Sequence, residues 1–254
     1  MSFVVRVRPG SRWTRIVAVT LGLAVSAAFG AAANKPLKVC LVSAAETYQS
    51  DEAFTRLGEY LTREFGMQCE LVRMNEKQDG FLDGARLLEA DTAVFHSRRK
   101  TLDEKNLALL RKFMASGKGF VALRSTSHGW ENWPTFDLQI LGAKYGAPGK
   151  SGNWGNAEKL HFNPHPIWEG THGLDTKRDI YRITSVAPDV NVIVEGENQN
   201  GRVPVGWTRE QNGRRLFYLA LGYPEEIARP EFSRAIANAL LWVTRRPAQA
   251  PAGR

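Results

Sequence analysis

Three short polar segments, each directly after an apolar run, carry most of the side chains that could do chemistry. Residues 43–51 hold Glu46 and Tyr48, residues 96–99 set an imidazole beside Arg98 and Arg99, and residues 124–128 hold Arg124, Ser125 and the imidazole of His128. A carboxylate and an imidazole that reach one ligand can pass a proton to and from it, which makes Glu46 and His128 the acid–base candidates. Tyr48, Arg98, Arg124 and Ser125 offer donors to an oxygen-rich ligand. Trp130, Trp133, Tyr145 and Trp154 follow closely. Their flat faces suit a sugar ring as well as they suit packing under a long loop, and Trp133 is taken as a ligand contact.

Ser125 with His128 three residues later invites serine-hydrolase chemistry. Against it, Gly-x-Ser-x-Gly is absent, and a catalytic imidazole normally arrives from a separate loop. His161 and His165 have the spacing of helical metal ligands, yet Pro164 and Pro166 forbid the helix. No cofactor is expected; a divalent metal would need these histidines to meet His96 or His128. Cys40 and Cys69 fall near the starts of the first two expected strands. They read equally as a disulfide in an oxidising compartment or as two buried thiols.

These segments need a scaffold that brings them together. Residues 37–43 are an apolar run, followed by a polar turn and by Phe54, Leu57, Tyr60, Leu61 and Phe65 at helical spacing. The alternation continues with a strand at 68–74, a short helix at 81–89, a strand at 92–96, a helix at 102–114 stopped by Gly117 and Gly119, and a strand at 120–123. It predicts an α/β fold with a doubly wound, mostly parallel sheet covered on both faces. Strand-like runs at 159–162, 181–185, 190–195, 205–208 and 216–221, some joined by hairpin-like turns, add antiparallel strands in the C-terminal half, and a helix at 232–243 closes the domain. In such sheets ligands bind beyond the carboxyl ends of the strands, which is where the three polar segments lie.

The 254 residues suffice for one sizeable core. In residues 1–33, Arg6, Arg8, Arg12 and Arg15 precede an apolar run and end in small residues, the pattern of an export leader that is removed. The chain thus divides into a signal peptide at 1–33, a domain at 34–246 and a loose tail at 247–254, with the mature protein periplasmic or extracellular and without stable membrane insertion. The net charge of +8 includes the leader; the remainder carries 30 basic against 26 acidic residues. With no basic stripe, nucleic acid is not an expected partner, while a homo-oligomer is compatible with the composition.

Taken in order, the segments 42–50, 117–123, 165–166, 179–181, 204–208 and 214–222 resemble the motifs of ThuA-like, or trehalose-utilisation, domains and together cover nearly all of 37–246. The resemblance implies a flavodoxin-like sheet of the class I glutamine amidotransferase type. It also implies no glutaminase activity, because Arg124 stands where that superfamily has its elbow cysteine and no thioester can form. An arginine there would hold a carboxylate or sugar oxygens. Related domains commonly read Leu-Gly-His where this chain has Leu221-Gly222-Tyr223, and commonly have Glu at the position of Asp179. Tyr223 is therefore a binding residue rather than a base. The family's link to trehalose and 3-keto sugars implies a small carbohydrate ligand that is bound, and hydrolysed or eliminated, with Glu46 and His128 in the acid–base roles. A non-catalytic sugar-binding or scaffold domain is the alternative that the missing cysteine leaves open.

Overall fold

The computed structural model describes residues 35–150, 152–172 and 174–252; the expected leader at 1–33 lies outside them. The first apolar run forms β1 (Lys38–Ala44), buried at every position but the first, as a central parallel strand must be. In α1 (Ser50–Phe65), Ala53, Phe54, Leu57 and Leu61 make one buried stripe, and Gly66 ends the helix in the left-handed conformation. The alternation continues through β2 (Gln68–Arg73), α2 (Arg86–Glu89), β3 (Thr92–Ser97), α3 (Glu104–Ala115) and β4 (Phe120–Leu123). Asp103 caps α3 by accepting from the backbone N–H of Asn106.

The second half supplies β5 (Ala143–Tyr145), β6 (Asn153–Asn156), β7 (Lys159–Phe162), β8 (Asp179–Tyr181), β9 (Ile183–Val186), β10 (Val190–Asn198), β11 (Gly201–Gln211) and β12 (Arg214–Leu219), followed by α4 (Pro224–Ile227) and α5 (Pro230–Val243). The main sheet has the order β2-β1-β3-β4-β12-β11-β10-β7. Its first five strands are parallel, while β11, β10 and β7 continue it antiparallel. This is the flavodoxin-like order with an antiparallel extension, and the winding reverses between β1 and β3. The pairs β5-β9 and β6-β8 form two small separate sheets.

Three details differ from the sequence expectation. The helix at 81–89 shortens to the single turn of α2, with bends and turns before it. The run at 181–185 divides between β8 and β9, which pair in different small sheets. The tail is tied down as far as Ala252: Arg234 donates to the Gln249 carbonyl at 2.9 Å and the Ala252 N–H to the Glu64 carbonyl at 2.7 Å. The open question about the cysteines closes as well. Cys40 is paired in register with Glu70 and Val39 with Cys69, so the two thiols point to opposite faces of the sheet, and both are free.

Candidate functional site

The winding reversal puts the segments after β1 and β3 side by side, with the segment after β4 next to them. Each of the three holds one non-glycine residue at positive φ: Gln49 (46°), Arg99 (48°) and Arg124 (43°). Such backbone strain persists only where the surroundings impose it, and it concentrates at functional sites. Here the impositions are visible. The N–H of Arg98 donates to the Ala44 carbonyl at 2.9 Å, that of Arg99 to the His128 carbonyl at 3.2 Å, and that of Lys100 to the Gly129 carbonyl at 2.7 Å. The Tyr218 hydroxyl from β12 donates to the Arg124 carbonyl at 2.7 Å.

Arg124 is the hub. Its side chain is 1% exposed. Nη1 donates to the carbonyls of Asp179 and Ala220, both at 3.2 Å, and Nη2 to Asp179 Oδ1 at 3.1 Å and to the Tyr223 hydroxyl. The Tyr223 hydroxyl in turn donates to Asp179. The guanidinium carbon lies 3.7 Å from the Tyr223 ring centroid and 4.9 Å from those of both Tyr48 and Tyr181. Burial opposes its charge, but the three tyrosines and Asp179 more than compensate and raise its pKa. Four of its N–H groups thus face protein, and only Nε lacks a partner among the described residues.

His128 stacks on Tyr145 at 4.0 Å between centroids and meets the edge of Tyr181 at 5.3 Å. Its Nδ1 is 3.2 Å from the Ser127 hydroxyl, which leaves Nε2 for a ligand. Burial first, then Arg99, Arg98 and Arg124, push its pKa down to about 3, so the imidazole is neutral at physiological pH. It lines a cavity of about 310 Å³ together with Arg99, Trp130, Trp133, Lys144 and Tyr145. A neighbouring groove of about 530 Å³ runs between Tyr48, Gln49, Arg178 and Tyr223. The hydroxyl of Tyr48, a groove residue, is 3.4 Å from that of Tyr181, whose ring meets His128 of the cavity.

Glu46 is exposed, and both its oxygens accept from Lys100 Nζ at 2.7 and 2.6 Å; Lys100 also reaches Gln78 at 2.7 Å. Partial burial raises the Glu46 pKa, but the Lys100 ammonium and then Arg98 outweigh it and hold the carboxyl below its ordinary value. Arg98 contacts Thr47 at 3.4 Å and lies 6.0 Å from the Tyr48 ring centroid. Ser125 is fully buried with its hydroxyl unpaired. Trp133 is buried against Phe136, with Arg111 over its face at 4.2 Å, and lines both the 310 Å³ cavity and a second groove beside Arg111 and Arg214. His161 pairs with Glu197 at 2.5 Å while His165 packs on Trp242 and accepts from the Ile167 N–H. Among the described residues no three metal-ligating side chains converge, and no helix is long and apolar enough to cross a membrane.

Beneath these groups lies His96, fully buried, stacked on Tyr48 at 5.3 Å, with both ring nitrogens unpartnered among the described residues. Burial, and secondarily Arg124, lower its pKa to about 3. Unpartnered buried polar atoms are rare, and those of His96 and Ser97 sit at the end of β3 while those of Arg124 and Ser125 directly follow β4. Sequence reasoning did not single out Arg99, Ser127 or Tyr181 as site residues. Tyr181 lay within a family-like motif and Arg99 inside a charge run, but Ser127 carried no signal of its own.

A family model described as trehalose utilisation, ThuA, matches residues 38–243. Among solved structures, a ThuA-like protein from Parabacteroides merdae superposes with a TM-score of 0.65 at 16% identity, covering 85% of this chain and 92% of that one. An alpha-L-fucosidase isoenzyme 2 from Paenibacillus thiaminolyticus reaches 0.49 at 12% identity, covering 87% of this chain and 35% of that one. The carbohydrate deacetylase Agd3 reaches 0.49 at 13%, covering 83% of this chain and 32% of that one. No curated protein matches in sequence.

Proposed function

We propose, from the premise that this chain belongs to the ThuA trehalose-utilisation family, that it binds an oxidised saccharide of the trehalose class at the carboxyl ends of β1, β3 and β4. The observation that carries this reading is the His128–Tyr145 stack at 4.0 Å, bordered by Arg99 and lining a 310 Å³ cavity. Aromatic faces take the apolar side of a sugar ring, while hydroxyl, imidazole and guanidinium groups meet its oxygens. An imidazole with a pKa near 3 is a feeble base, but it is a neutral donor able to polarise a carbonyl. With guanidiniums beside it, it suits the partial negative charge on the carbonyl oxygen of a bound 3-keto sugar. Arg124 positions the tyrosines, and Glu46 enters as the anionic partner of Lys100. Export of the mature chain, expected from residues 1–33, is part of the same proposal.

Titration calorimetry with trehalose, sucrose and their 3-keto derivatives tests it. At least one sugar should bind, with a keto form preferred, and His128→Ala and Tyr145→Ala should each weaken that binding tenfold or more. The reading fails if no sugar binds, or if both variants bind as the parent does.

A further inference from the structure

We infer that the ligand seated against His128 and Tyr145 is an acidic sugar, whose carboxylate or phosphate is held by Arg98 and Arg99. This rests on the carbohydrate reading above and narrows its substrate class.

Arg98 and Arg99 leave the site with unbalanced positive charge. Arg98 and Arg99 are consecutive, and their backbones are clamped to the end of β1 and to the segment after β4 by the hydrogen bonds to Ala44 and His128. Neither guanidinium has a carboxylate within ion-pair distance among the described residues; Arg98 contacts Thr47 at 3.4 Å and lies 6.0 Å from the Tyr48 ring centroid. The acids around them are already engaged: Glu46 with Lys100 at 2.6 Å, Asp179 with Arg124 at 3.1 Å and Asp137 with Lys144 at 3.0 Å. Glu131, exposed at the cavity rim, accepts from Thr101 at 3.1 Å. Two guanidiniums therefore stand against one acid that lacks a cationic partner.

That excess is felt where a ligand would sit. Arg99, Arg98 and Arg124 all act on His128, and the same three act on Tyr145, where they oppose the upward push of burial. A permanent anion on the sugar would neutralise this field, and a guanidinium offers it paired donors that a hydroxyl cannot match in charge. A neutral sugar would leave the field uncompensated.

The test is calorimetry at low ionic strength with glucose, glucuronate, glucose 6-phosphate and acetate, on the chain and on Arg98→Gln and Arg99→Gln, with melting curves confirming that each variant folds. Glucuronate or glucose 6-phosphate should bind at least tenfold more tightly than glucose. Each substitution should remove most of that preference, lowering glucuronate or glucose 6-phosphate affinity by a much larger factor than glucose affinity. Equal affinity for glucose and its acidic counterparts overturns the inference and leaves the carbohydrate reading standing, as does a preference that survives both substitutions. Arginine-dependent binding of acetate with no acidic sugar bound, or no binding at all, overturns the inference as well, while the trehalose and sucrose titrations above decide the carbohydrate reading separately.

Discussion

At the scale of single residues, the candidate site is a set of polar groups whose ordinary ionisation has been shifted by burial and by arginine. His96 shows this most simply. Its pKa is about 3 in the fold against an ordinary value of 6.5, so the unfolded chain binds the proton more readily. The stability this lends is complete above about pH 6.5 and is lost as the pH falls from there toward 3. His96→Phe keeps a ring against Tyr48 and Phe54 and removes the titration. Between pH 7 and 4.5 the parent should lose about 2 to 3 kcal/mol more stability than this variant in urea melts. Arg124→Met leaves the Asp179 carboxylate without its cation and should cost roughly 3 kcal/mol or more, with Lys unable to restore the forked geometry; denaturant midpoints measure both. Affinity for a neutral sugar, by contrast, should be nearly flat from pH 5 to 8 in calorimetry, because His128 is neutral throughout that range. Glu46, Tyr48, Arg98, Arg124 and His128 were legible as polar residues following strands. That Glu46 would turn to Lys100, and that Arg124 would be consumed by protein partners, depended on distant Asp179, Ala220 and Tyr223, which no local pattern connects.

Elements place these residues through register and close packing. Parallel pairing of β1 with β2 sends Cys40 and Cys69 to opposite faces. Thiol titration of the unfolded chain, purified without reductant, should therefore give two free thiols, and reductant should leave the melting temperature unchanged. Gly119, leading into β4, lies where a Cβ would overlap the Val243 carbonyl at the end of α5. Gly119→Ala should destabilise by about 1 to 3 kcal/mol in the same urea assay, since backbone rather than a flexible side chain must give way. The parallel strands were readable because each is a short apolar run between helical periods. The segment at 130–155 was not: its Gly, Pro and Trp content hid β5, the start of β6 and a π-helical turn at Asp137–Leu141. β5 and β6 pair with β9 and β8, partners remote in sequence, so their stability is tertiary.

Across the whole molecule, the order β2-β1-β3-β4-β12 dictates where a ligand can sit, because only at the reversal between β1 and β3 do adjacent loops diverge to leave a crevice. The fold class followed from the alternation of strands and helices, and the family match agrees with the segments that resembled ThuA-like domains. A competing location exists: a groove of about 660 Å³ between α1 and the strands β1 and β2, lined by Leu41, Phe54 and Leu71 with Glu59, Arg63 and Arg73. It offers fewer polar side chains and none of the unpartnered buried atoms found beneath Tyr48. Hydrogen exchange with and without saturating 3-keto-trehalose separates the two most directly. Amides at 45–49, 97–100 and 126–130 should exchange more slowly when the sugar is bound, with 57–71 unchanged. Protection confined to 57–71, or none anywhere, would contradict a carbohydrate site at the carboxyl ends of the parallel strands.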